Sequence, residues 1–168
     1  MYATEEYEQA IAAVRELLSK LRLDFIFVGN VARAAWLGGE VATGSIDVLA
    51  LMSPEQKNSV AMMASNRGFR VDRAEIEQSE ELDLVPLNLG AIKIHVLVAS
   101  NALYGRMVAA GVVVDAIKVP VREDFALLLA MSGDDVALHA LTGATEFDRA
   151  RYNEKVASIG LTELTLSQ

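Results

Sequence analysis

The chain predicts an α+β fold, an α/β sandwich whose mixed sheet carries helices on one face and is followed by a helical tail over about 122–168. Short aromatic and β-branched segments at 25–28, 45–52 and 91–98 read as strands, with segments of helical spacing between them. Glycines bracket a short helical pattern between the first two strands, at Gly29 and at Gly38-Gly39. After Arg122 the pattern is helical throughout, and strands followed by a run of helices belong to an α+β sandwich.

Thr4 is placed to cap a first helix whose apolar positions Tyr7, Ile11, Val14, Leu18 and Leu21 recur at helical spacing, with acids in its first turn. Phe25 to Val28 is a strand, and Gly29-Asn30 turns it directly into a helix from Val31 to Leu37. Ser45 to Met52 is the second strand. Ser53-Pro54-Glu55-Gln56 combines a serine cap, a proline at the first helical position and a glutamine at the third, so a helix runs from there to about Asn66. Phe69 to Val71 reads as a short strand and the polar stretch Asp72 to Leu82 as an exposed connection or an edge hairpin. Leu84 to Leu87 and Ala91 to Val98 are adjacent strands joined through Asn88-Leu89-Gly90. On the second of them Ile92, Ile94, Val96 and Val98 share one side, and Lys93, His95 and Leu97 the more polar one. Ser100 or Asn101 caps a helix to Ala110, Val112 to Val121 is a β-rich linker, and helices over Arg122 to Met131, Asp134 to Leu141 and Thr145 to Ile159 close the chain.

With 168 residues, no repeat and no low-complexity stretch, the chain fits a single domain over 1–168, long enough to bury a sizeable core. Cys 0 rules out disulfides and thiolate metal sites, and the acidic start lacks the pattern of a signal peptide, which points to the cytoplasm. The longest apolar run, Phe125 to Met131, is far below a bilayer span, so the hydrophobic 52% belongs to core or to a protein interface, with a partner protein or a second copy as its cover. Fifteen Lys+Arg against twenty-three Asp+Glu give a net charge of −8, which repels a phosphate backbone and argues against non-specific nucleic-acid binding. The one basic cluster, Arg67, Arg70 and Arg73, reads as a solvated rim before it reads as a nucleotide contact.

The chemistry-bearing stretch is Thr43-Gly44-Ser45-Ile46-Asp47, preceded by the strand, Gly29-Asn30 and the helix to Leu37. Later come Ile92-Lys93-Ile94-His95-Val96-Leu97 and Val119-Pro120-Val121-Arg122-Glu123-Asp124-Phe125. This order of elements resembles the minimal nucleotidyltransferases and the abortive-infection type nucleotidyltransferase toxins of bacterial toxin–antitoxin systems, over nearly the whole chain. The resemblance implies a nucleotidyltransferase-like sheet on which two carboxylates at i and i+2 and a third on the neighbouring strand hold Mg²⁺ and a nucleoside triphosphate. The carried-over positions are Gly29, Asn30 and Thr43 for nucleotide binding, Ser45 and Asp47 for the carboxylate pair, and His95 for the third ligand.

Departures from the pattern fall on the chemistry. The expected arginine is Val41, the second turn residue is Asn30, the first carboxylate is Ser45, the third is His95, and the later lysine position falls near Leu129. Asp47 is therefore a remnant metal ligand or a polar residue closing a turn or pairing with a cation. His95 suits Zn²⁺ or Mn²⁺ better than Mg²⁺, and a lone strand histidine is more often structural. His139 reads as a packed or half-exposed helix residue, Asp134-Asp135 as a cap, Trp36 as core or interface, and Glu81 and Asp83 as solvated edge residues or displaced ligands. The expectation is a degenerate nucleotidyltransferase acting as a binding or regulatory module, without a certain cofactor. The alternative is an active enzyme with a rewired site around Asp47, using Mg²⁺ or Mn²⁺ with a nucleoside triphosphate to modify a protein, RNA or small molecule.

Overall fold

The structure, a computed structural model, describes residues 2–41, 44–71, 74 and 83–166. A short strand β1 (Tyr2–Ala3) precedes α1 (Glu5–Lys20), β2 (Asp24–Val28) and α2 (Gly29–Leu37). Then come β3 (Glu40–Val41), β4 (Ile46–Leu51), α3 (Gln56–Ser65), β5 (Leu84–Leu89) and β6 (Ile92–Val98). The C-terminal part holds α4 (Ala102–Ala110), the hairpin β7 (Val112–Val114) and β8 (Ile117–Val119), α5 (Arg122–Ser132), α6 (Asp135–Thr142), α7 (Arg149–Ser158) and a 3₁₀ turn at Thr162–Leu164.

Among the described residues the main sheet has four strands in the order β2-β4-β6-β5. β4 runs antiparallel to β2 and parallel to β6, so the sheet is mixed, and the two chemistry-bearing strands are neighbours as expected. Alternation sorts the side chains into two faces. Phe27, Val48, Ile94 and Val96 lie on one face, fully buried, where α1 and α3 pack over the strands. The other face carries Val28, Asp47, Leu49, His95 and Leu97. At the β2 edge of this second face lies α4: a Cβ on Gly111, just past the end of α4, would strike Ile26, and one on Gly105 would touch Leu51. One contiguous apolar cluster runs from Tyr7 in α1 to Val156 in α7.

Several boundaries shift for visible reasons. The helix placed from Thr145 begins at Arg149, because the Asp148 carboxylate accepts from the Arg151 N–H and caps it there. The strand placed at Phe69 to Val71 is a single bridge, Arg70 to Asn88, at the edge of β5. β5 continues to Leu89, and Gly90, with φ +59, makes the turn with Ala91, so Asn88 pairs with Lys93 rather than sitting in the loop. The β-rich linker is a hairpin turned at Asp115 and Ala116, both at positive φ. Asn101, rather than Ser100, caps α4 by accepting from the Tyr104 N–H. The polar connection 72–82, apart from Ala74, lies outside the described residues. No helix among the described residues is long and apolar enough to cross a membrane.

Candidate functional site

Val28, Asp47, His95 and Pro86 stand opposite one another on successive strands, forming one row across the second face of the sheet. Cross-strand partners on one face have Cβ atoms about 5 Å apart. The row therefore brings Asp47 against His95 although 48 residues separate them, and His95 Nδ1 lies 2.8 Å from Asp47 Oδ1. Ser45, at i−2 on the same face of the strand's approach, donates its hydroxyl to the same Oδ1 at 2.8 Å. The other carboxylate oxygen faces the start of α2: a Cβ on Gly29 would lie 2.6 Å from Asp47 Oδ2. Gly29, at φ +55, supplies both the left-handed turn and the missing side chain that this approach requires.

Neighbouring contacts fix the loop ahead of β4. The Tyr7 hydroxyl donates to the Gly44 carbonyl at 2.6 Å, and a Cβ on Gly44 would meet Asn30 Nδ2 at 2.6 Å. The structure thus assembles Gly29, Asn30, Ser45, Asp47 and His95 at one place, while Thr43 lies outside the described residues.

A carboxylate oxygen only accepts, so His95 Nδ1 carries the hydrogen toward Asp47, and in the neutral ring Nε2 is left as an acceptor. The His95 side chain is 35% exposed against 23% for Asp47, so solvent or a ligand meets the pair through the imidazole. The next pair along the same face is Leu49 with Leu97. These two, with Val28, Asp83, Tyr104 and Leu128, line a cleft of about 420 Å³. His95 and Asp47 are not part of that cleft's lining, which continues along the same face of the sheet from Leu49 and Leu97.

The resemblance implies Mg²⁺ here, and the donor set does not fit it. Mg²⁺ demands hard oxygen ligands in near-ideal octahedral geometry. This site offers one carboxylate, one neutral hydroxyl and one imidazole, and Asp47 Oδ1 is engaged by both neighbours. Among the described residues no three His, Asp or Glu side chains come together as a metal site.

The remaining candidates disperse. Asp83 reaches the cleft wall, and Glu81 lies outside the described residues. Arg67 pairs with Glu16 at 2.9 Å, and Arg73 lies outside the described residues. His139 is an exposed residue of α6, and Asp134 caps that helix by accepting from the Ala137 N–H. Trp36 is half-buried and donates to the Pro120 carbonyl at 3.0 Å, with the Arg122 guanidinium 4.7 Å from its ring centre. A buried acid, Asp124, and its partner Lys155 escaped the sequence reading. The available signal was a pair of acids opening the apolar stretch Phe125 to Met131, where one helical turn must face inward.

No family model matches the chain, and no curated protein matches it. Among solved structures, the solution structure of the antibiotic-resistance factor ANT(2'')-Ia is similar over 94% of this chain and 88% of that one, at 13% identity and a TM-score of 0.48. The crystal structure of ANT(2'')-Ia in complex with adenylyl-2''-tobramycin is similar over 93% and 91%, at 14% identity and the same score. Likeness at this level carries no argument about chemistry.

Proposed function

We propose that this chain is a nucleotidyltransferase-like domain in which metal-dependent nucleotidyl transfer has given way to ligand binding, as a regulatory module or as a partner in a toxin–antitoxin type complex. The observation that carries the reading is the closure of Asp47 by its own neighbours: Ser45 and His95 both engage Oδ1, and Oδ2 stands over Gly29. Two hard cations need several carboxylate oxygens, and this arrangement supplies hydrogen-bond donors where the resemblance asks for ligands. Support for the fold part is the adjacency of β2, β4 and β6, with a glycine turn leading straight into α2. Binding then uses the His95 Nε2 acceptor and the cleft farther along the same face.

The test sets the wild-type chain against Asp47→Ala in calorimetry and thermal shift with each nucleoside triphosphate and Mg²⁺ or Mn²⁺, beside labelled-triphosphate assays on protein, RNA and aminoglycoside acceptors. No transfer to any acceptor is the expected result. Asp47-dependent labelling of an acceptor would overturn the reading in favour of the rewired enzyme. One feature favours that second reading: an imidazole oriented through Nδ1 by a carboxylate is built to take a proton from an acceptor hydroxyl.

A further inference from the structure

A second cleft, of about 460 Å³, opens on the far side of α4, between that helix and the helices α5 and α7. Its walls combine apolar Leu103, Met107 and Ala110 with Arg106, Asp124 and Lys155. Asp124 is 2% exposed, and the Lys155 ammonium donates to its Oδ1 at 2.6 Å. It also sits in the first turn of α5, where the helix N-terminus favours negative charge. The acid, itself part of the cleft wall, is thus compensated twice, while the Lys155 side chain stays 29% exposed with donors to spare. Arg106 is exposed and forms no ion pair among the described residues. On a chain of net charge −8, this places unmatched positive charge beside an apolar wall.

We propose that this cleft binds a small organic carboxylate, with Arg106 gripping the carboxylate in its planar fork, Lys155 donating a further hydrogen bond, and Leu103, Met107 and Ala110 covering the apolar body. Charge-assisted pairs of this kind are the stronger class of hydrogen bond, and the volume lies in the range of small-molecule sites. The site is separate from Asp47 and His95 and stands whether or not that pair has kept an activity.

Octanoate is the probe, followed by calorimetry and by amide shifts in the full-length chain, with octanamide and octylammonium as the neutral and cationic controls of the same shape. Octanoate is expected to bind and to shift amides of α4 and α7. Octanamide should bind at least about tenfold more weakly, since it loses the charge-assisted pairs. Arg106→Gln should weaken octanoate by a similar factor, and Ala110→Phe, at an exposed position that fills the cleft, should abolish binding while the melting temperature holds. The proposal is overturned if octanoate does not bind, if Arg106→Gln or Ala110→Phe leaves its affinity unchanged, or if octylammonium binds as well as octanoate.

Discussion

At Gly29 two demands meet in one residue: a φ of +55 and a carboxylate oxygen 2.6 Å from where a side chain would begin. Gly29→Ala should therefore lower stability by about 1–3 kcal/mol, the usual range for a strained backbone position. In an Asp47→Ala background the loss should shrink, because the clash disappears while the φ strain stays. Urea midpoints of the four proteins in that cycle decide it, and an undiminished loss would show that Asp47 does not press on Gly29. Ser45 and His95 allow a stronger test, since both touch the same oxygen of Asp47. Ser45→Asp with His95→Asp should gather three carboxylates, melt below wild type in chelator, and recover on adding Mg²⁺ or Mn²⁺. A double mutant indifferent to metal would mean that these positions do not surround a common point. Of this cluster the resemblance supplied Ser45, Asp47 and His95, and strand spacing added only that Ser45 and Asp47 share a face and that His95 lies on the more polar side of its strand. The bond between His95 and Asp47 was not legible, because it depends on the β4–β6 register, which no local pattern specifies.

Among the elements, legibility followed whether the signal was local. Gln56 reaches back to accept from the Ser53 N–H at 2.8 Å, which is one half of the capping pattern, but α3 begins at Gln56 rather than at Pro54 and has no side-chain cap; Asp134 caps α6. The start of α7 was misplaced because Asp148 caps more effectively than anything near Thr145, and the Arg106, Asp124 and Lys155 grouping needed three helices to meet. α7 itself is tied down by Tyr152, which is buried and donates its hydroxyl to the Leu164 carbonyl at 3.0 Å. Burial pushes its phenol above the ordinary value of 10.0. The folded state thus holds this proton longer than the unfolded chain does. The contribution is fully present below the unfolded value and is lost as pH rises through it toward the folded one. Tyr152→Phe should lower stability near neutral pH by about 1 kcal/mol, through the bond lost at Leu164. The gap between mutant and wild type should then narrow above about pH 10, where the wild type alone bears the cost of that proton. Urea midpoints at pH 8 and above pH 10 measure the gap, and a constant gap would remove Tyr152 from the alkaline loss.

For the molecule as a whole, the question is whether the sheet with its N-terminal helices and the helices after Arg122 unfold as one body. The apolar cluster passes without a break from α1 and the sheet into Phe125, Leu127, Leu141 and Val156, and a shared core favours a single cooperative transition. A natural reporter sits at the seam. Trp36, the one tryptophan, belongs to α2, yet its indole donates to Pro120 and lies beside Arg122, at the entry to α5. Arg33, one turn earlier on α2, reaches Asp134 at the cap of α6 at 2.9 Å, so the same helix is clamped to the tail twice. Exposed ion pairs of this kind contribute little by themselves, and the buried apolar surface between them decides the cooperativity. Fluorescence of Trp36 therefore reads the docking of the tail, whereas far-ultraviolet circular dichroism reads all helices and strands. The two signals should trace one urea curve with one midpoint and one slope. A fluorescence change that precedes the loss of dichroism would show the tail leaving first, and the chain from Arg122 onward would then unfold as a unit of its own.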